Sequence, residues 1–295
     1  MGNRKKTSAI ATPTTDAQRP VWPRVTGLCA SVVGVGIALV FFLFPIYWML
    51  VTSVKPPSEW LTSPPVFIPD RLYLQNYTDA LFNWGGLKGL EDSGIVAVSA
   101  TAIGMVLGTL AAYALARFRV GGTNLSFFIL SLLFMPPVAI GIPMFLFWSD
   151  LGLVDTYIAL VVQYLTFTLP FVVWVMKGFF EDLPVDREES ALVNGASRLR
   201  AFWDVVLPNA RPALVATALL AFIFNWNEFS IAVLLSRGRV TTLPFILPTM
   251  MESHYVLWGD IAAMAAVGAL PVVIIAFLLQ RYLVRGLSFG AIRSE

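Results

Sequence analysis

Two groups of residues in this 295-residue chain have types and spacing that could do chemistry. The first is the run EESALVNGASRLRAFWDVVLPNARP, Glu188 to Pro212, which carries acids, three arginines, an Asn-Gly pair and small residues between two strongly apolar stretches. A run of this kind can dock: it offers charge for ion pairs and apolar side chains for burial. The second group is polar side chains set inside apolar stretches: Gln163 and Tyr164, then Asn225, Asn227 and Glu228 with Trp226 among them. Amides and hydroxyls could bond a polar solute, and an indole could stack on an apolar face of it. The same groups could instead join helices, a common use of polar side chains in spans. Glu228 stands out, since a charge near the bilayer centre costs on the order of 2.5–3.5 kcal/mol on insertion scales. Other chemistries lack their parts. One cysteine (Cys29) and one histidine (His254) make neither a disulfide, a metal cluster nor a catalytic triad. No G-x-x-x-x-G-K-[ST] run is present to cradle a nucleotide phosphate.

The elements that must position these groups are membrane helices. Of the residues, 57% are hydrophobic and 13% charged, where a soluble domain carries about 25% charged residues. Six stretches meet the length of about 20 residues that a bilayer asks of a helix: 26–53, 93–116, 124–149, 156–176, 213–235 and 259–280. The first is too long for a cleavable signal, and no small-residue cleavage site follows it. Of 20 Lys and Arg, 15 fall in the segments that share a side with the N-terminus and five fall opposite (Lys55, Arg71, Lys88, Arg237 and Arg239). That asymmetry places both termini and the Glu188–Pro212 run in the cytoplasm. The expected architecture is all-α: a disordered cytoplasmic tail over 1–23, a six-helix transmembrane domain over 24–295, and a cytoplasmic insert over 177–212. The basic tail lies beside a membrane span, which favours anionic headgroups over nucleic acid as its neighbour. Gly104 and Gly108 form a G-x-x-x-G that lets helices approach closely. Pro136, Pro137 and Pro143 disturb the third span, so that span belongs in the bundle or beside a pathway.

A chain that only had to turn round would need a handful of residues, not the insert's 36 or so. Leu192, Ala196, Leu199 and Trp203 recur at helical spacing and predict one apolar face. Asn194-Gly195 is a point where one helix can end and another begin.

The insert resembles the EAA loop of ABC importer permeases, read here as Glu189-Ser190-Ala191, Leu192-Val193, Asn194-Gly195-Ala196, then Phe202-Trp203 and Leu207-Pro208. Ser190 stands in place of an Ala and Asn194 in place of the family's Asp. PIYWMLVTSVKPPSE (45–59), AAYALARFRVGG (111–122), FNWNEFSIAVLL (224–235) and TTLPFIL (241–247) are also similar to stretches of carbohydrate-importer permeases, and Asp92 stands where relatives usually have Asn. The match runs from about 26 to 290 and is nearest to the maltose type. It implies a coupling loop made of Glu189, Ser190, Ala191, Leu192, Asn194, Gly195, Ala196 and Leu199. Glu189 would pair with a basic residue of a separate ATPase, and Gly195 would permit the bend. It also implies a second homologous permease, two ATPase subunits that bind the ATP and Mg, an inner-membrane location and an extracytoplasmic solute-binding protein, met by the loop holding His254 and Tyr255. The chain itself would hold no cofactor and no metal, and would not be an enzyme. The alternative is a stand-alone secondary transporter or channel. That would call for coupling-ion sites and repeated halves, and no repeat of fixed period is present.

Overall fold

The computed structural model describes residues 22–251 and 256–288. The expected tail lies outside them, except that Trp22 and Pro23 already belong to the first helix. Among the described residues the regular structure is helical, apart from one isolated bridge between Met251 and Val256. Two compact units divide it after Trp48. Helix α1 (Trp22–Ser53) supplies all that is described of the first. Its residues 31–46 are exposed on every side, and Ser31–Ser53 has a mean hydropathy of 2.3. A helix apolar all round is one made for lipid.

The second unit begins with the last turn of α1 and the loop 54–85. Although Pro-rich, this loop is pinned. Asn76 donates from Nδ2 to the Ser53 and Lys55 carbonyls at 3.0 and 2.9 Å. Trp60 Nε1 donates to the Lys55 carbonyl at 3.1 Å, and the Tyr73 N–H donates to Val54 O at 2.8 Å. The Ser53 carbonyl is one that a helix end leaves orphaned; those of Val54 and Lys55 belong to the turn just beyond it.

The bundle is built on α2 (Gly86–Phe118), α3 (Gly122–Ser131), α4 (Pro137–Asp150) and α5 (Tyr157–Asp182). Along the seam of α2 and α5, Gly104 and Gly108 let the helices close up. A Cβ at Gly104 would lie 2.6 Å from the Thr168 methyl, and one at Gly108 would lie 2.7 Å from Val172 Cγ1. The G-x-x-x-G pair therefore serves a contact inside this chain. The third expected span, 124–149, is not one helix. Met135 and Pro136 both precede a proline, and both are extended, with ψ of 119° and 127°. Proline's ring denies its predecessor the helical region, and the two arms of the span meet at 93°.

After α5 the chain makes the insert, which contains α6 (Asp186–Val193), and enters α7 (Arg211–Trp226). The fifth expected span, 213–235, is also broken: α7 stops at Trp226 and α8 runs Ser230–Leu235. No proline is involved. Asn227 Nδ2 bonds back to Ile223 O at 2.8 Å, and the Glu228 carboxylate accepts from the Ile231 N–H at 2.9 Å. One residue thus closes a helix end and the next caps a helix start, each by offering the backbone a local partner. Helix α9 (Trp258–Ser288) completes the bundle. Among the described residues four helices are long and apolar enough to cross a bilayer, or up to six spans if each bent pair counts as one, the second such pair being Arg198–Asn209 with Arg211–Trp226.

Candidate functional site

The insert folds as an elbow. Helix α5 ends before Pro184, and α6 opens with Asp186, Glu188 and Glu189 in its first turn, where negative charge meets the positive end of the helix dipole. The helix stops in a two-bond lock: the Gly195 N–H donates to Leu192 O and the Ala196 N–H to Ala191 O, both at 3.0 Å. This is a Schellman ending, which needs a left-handed residue just past the helix. Gly195 supplies it at φ +86°. Nothing lies within 4 Å of where its Cβ would be, so the demand for glycine here is conformational. Ser197 Oγ then accepts from the Arg200 N–H at 3.3 Å and starts the next helical stretch, Arg198–Asn209. That stretch meets α7 at 76°.

The turn at Gly195 changes which side chains share a face. Leu192, Ala196, Leu199 and Trp203 were expected on one stripe, but the helix that would align them is interrupted. Leu192 and Ala196 are half-buried, whereas Leu199 is 65% and Trp203 57% exposed, beside Val193 at 88%. The buried anchors are instead Glu188, Ala201, Phe202 and Val206. Phe202, Val206 and Ala210 pack with Ala112 and Tyr113 of α2 and with Val172, Met176 and Phe180 of α5. Arg198 lies over the Phe118 ring at 5.2 Å. Glu189, Ser190 and Asn194 are exposed, and Ala191 is half-buried.

Sequence reasoning singled out Glu189 and passed over Glu188. The Glu188 carboxylate accepts from the Tyr113 hydroxyl and from Arg117 Nε, the latter at 3.0 Å. The same guanidinium donates to the Leu183 carbonyl at 3.1 Å. Arg117 and Glu188 side chains are only 9% and 8% exposed. The signal lay in the helical register: Glu188 is the acid of the pair that faces the bundle, opposite an arginine ending α2.

The polar cluster lies farther into the bundle. Gln163, Tyr164, Asn225 and Trp226 are all buried. Gln163 accepts from Trp148 Nε1 at 3.1 Å, which ties α4 to α5. The Tyr164 hydroxyl donates to the Glu228 carbonyl at 3.1 Å, at the break in the fifth span. Asn225 accepts from the Thr168 hydroxyl at 2.8 Å and donates to Thr101 Oγ1 at 3.0 Å, so one amide joins α7, α5 and α2. Trp226 Nε1 donates to Gly268 O at 3.0 Å and ties α7 to α9. Each of these four side chains has at least one polar atom bonded within the chain. Asn227 is exposed and Glu228 half-buried.

At the far end of the bundle two carboxylates hold the segment 236–243. Asp92 accepts from Lys88 Nζ (2.6 Å), the Tyr157 hydroxyl (2.6 Å) and the Thr241 N–H (2.7 Å). Ser93 Oγ accepts from the Leu243 N–H at 2.8 Å. Asp155 accepts from the N–H groups of Arg237, Arg239 and Val240 at 2.9, 2.8 and 3.0 Å. Partial burial pushes the Asp155 carboxyl up, but the three donors outweigh it and hold it below the usual carboxylate range. His254 and Tyr255 lie outside the described residues.

These features fall on a known framework. Residues 104–289 match the family model "binding-protein-dependent transport system inner membrane component". The chain is 34% identical to the trehalose/maltose transport system permease protein of Thermococcus litoralis, over 90% of this chain and 96% of that one. It is 32% identical to the trehalose transport system permease protein of Mycobacterium tuberculosis, over 86% and 93%. In fold it is similar to a chain of a bacterial ABC transporter involved in the import of the acidic polysaccharide alginate, with a TM-score of 0.74, 24% identity, and coverage of 92% and 99%. With its helical bundle, its elbow and its broken spans inside the matched region, the chain belongs to the binding-protein-dependent transport inner membrane component family, the membrane-embedded permeases of ABC transporters.

Proposed function

We propose that this chain is the membrane-spanning subunit of an ATP-driven importer of a carbohydrate, or of a related polyol or sugar phosphate. Both termini and the elbow lie in the cytoplasm. A second, homologous permease completes the pathway, two ATPase subunits sit beneath, and a solute-binding protein delivers from outside. The observation that carries this reading is the free face of the elbow. Val193, Leu199 and Trp203 are exposed on a segment whose Phe202 and Val206 are packed to the bundle. Burying one large apolar side chain is worth about 1.5–3 kcal/mol, so three such side chains favour a partner surface over solvent. Glu189 is exposed on the same insert and would pair with a basic residue of that partner.

The elbow then acts as a lever. Moving a two-state bundle from 1:99 to 99:1 takes about 5.5 kcal/mol of bias, and a fixed helix delivers that where a loose loop would absorb it. On the solute side, Asn227 and Glu228 at the broken span are the polar groups least committed to other helices. Irregular backbone at membrane depth is tolerated where it lines protein or water-filled space. The solutes for which the relatives are named, trehalose and maltose, support the carbohydrate class.

The test is capture of the ATPase subunit by this chain in detergent. Wild type should retain it, and Leu199→Asp with Trp203→Asp should lose it while the permease stays in the membrane. Equal retention by the double variant overturns the docking role. Gradient-driven uptake of trehalose or maltose by this chain alone in liposomes would instead favour a secondary transporter. A thermal-shift screen of sugars against the cognate binding protein identifies the solute.

A further inference from the structure

The elbow's hidden face holds a bond set that docking does not use. Glu188 sits at the start of α6, and both of its partners, Tyr113 and Arg117, lie on the last turns of α2. Arg117 also grips the Leu183 carbonyl, immediately after α5. One guanidinium thus binds α2 to the end of α5 and, through the carboxylate, to α6. The surroundings are apolar and aromatic: the Tyr113 ring lies 5.8 Å from those of Phe118 and Phe180 and 4.6 Å from that of Phe202.

Such a site is a poor way to gain stability. Desolvating two charges offsets most of their attraction, and an apolar replacement of similar volume often folds as well. It is a good way to fix direction. Charge-assisted bonds are short and angular, and here they bridge the Leu183-Pro184-Val185 segment, where the chain leaves helical geometry and would otherwise bend. Beyond the joint, α2 is locked to α5 by the glycine seam and to α7 through Asn225.

We infer that Glu188 is the positioning residue that makes the elbow and α2 move as one body, held by Tyr113 and Arg117. Glu189 faces the ATPase; Glu188 passes the displacement inward. This rests on the elbow docking to an ATPase as proposed above.

The test uses the whole complex of permease pair, ATPases and binding protein. Cys29 is replaced by Ser, and spin labels are attached at Asp186→Cys on α6 and Val106→Cys on α2, both exposed. The distance between them is read with and without trapping by ATP plus vanadate. The unaltered joint should give the same narrow distribution in both states. Glu188→Gln, which keeps the volume, should bind and hydrolyse ATP yet show a distance that broadens and shifts on trapping. An unchanged distribution in Glu188→Gln overturns the inference. So does a charge-free pair, Glu188→Leu with Arg117→Met, that restores thermal stability and rigidity together, because packing alone would then suffice. If the wild-type ATPase neither assembles nor responds to trapping, the docking reading has failed, and this inference falls with it.

Discussion

Replacing Gly104 by Ala is a sharp test of how this bundle is held together. In an isolated helix the change would help, because Gly is about 0.8–1.0 kcal/mol worse than Ala in a helix interior. Here the added Cβ would arrive 2.6 Å from Thr168 Cγ2, against an optimal carbon–carbon separation of about 3.5–4.0 Å. Either α5 retreats by about 1 Å or Thr168 rotates. A retreat of that size stretches the 2.8 Å bond from the Thr168 hydroxyl to Asn225 beyond the roughly 3.2 Å limit of a good hydrogen bond. Rotation of Thr168 redirects the same hydroxyl. Overpacking costs typically about 1–3 kcal/mol, and a tie between membrane helices adds about 0.6 kcal/mol. The net loss for Gly104→Ala is therefore about 0.6–2.8 kcal/mol after the helix gain is set against it. The next-nearest atoms, Thr168 Cβ at 3.4 Å and Leu165 Cδ2 at 3.5 Å, are near ordinary contact. Thr168→Ser therefore removes the offending methyl and keeps the hydroxyl. Alone it should cost about 0.8 kcal/mol for the lost methyl. Combined with Gly104→Ala it should return the protein close to wild type, a favourable coupling of at least about 1 kcal/mol. Thermal unfolding of the detergent-solubilised permease, followed by tryptophan fluorescence, reads all three variants. A Gly104→Ala protein as stable as wild type, or strict additivity in the pair, would refute the seam as the organising contact.

Other outcomes follow from the same structure. Asn225→Leu should lower stability by about 0.6–1.7 kcal/mol, the span measured for hydrogen bonds between membrane helices, and should leave solute preference unaltered; a changed ranking of transported sugars would return Asn225 to the pathway. Gly195→Pro should reach the membrane in normal amount yet lose uptake, because proline is held near φ −65° and lacks the N–H given to Leu192; western blots paired with uptake assays check both halves. For Asp155, whose folded carboxyl titrates below its ordinary value of about 3.9, the contribution to stability is complete above that value. It is lost as pH falls through the lower folded one. Melting temperatures below pH 5 should fall more steeply in wild type than in Asp155→Asn, and parallel curves would count against the clamp.

Much of this was legible beforehand, for identifiable reasons. Spans show because lipid demands long apolar runs, and the elbow shows because its charges interrupt them. Asn194-Gly195 announces a helix ending, since few other residues accept a positive φ. The failures have causes too. The stripe from Leu192 to Trp203 assumed a helix continuous through the residue that stops it. Glu188 was hidden because adjacent acids look alike until a partner 71 positions away selects one of them. The break at Asn227–Phe229 was averaged away by the apolar residues around it, although two amides and an acid in four positions can stop and restart a helix. Gly104 and Gly108 advertised a close approach without naming the neighbour, which only tertiary packing decides.

Asn76 has a practical consequence. It fastens the outgoing end of α1 from a position 23 residues later, so the intervening hoop is closed at its neck, while Leu61, Ile68 and Leu72 on its rim are exposed. Closure entropy grows only slowly with length, and exposed rims are where grafts are tolerated. An epitope or fluorogenic tag spliced between 61 and 72 would therefore ride on this hoop without loosening the neck, giving a surface handle for labelling the permease from one face of the membrane.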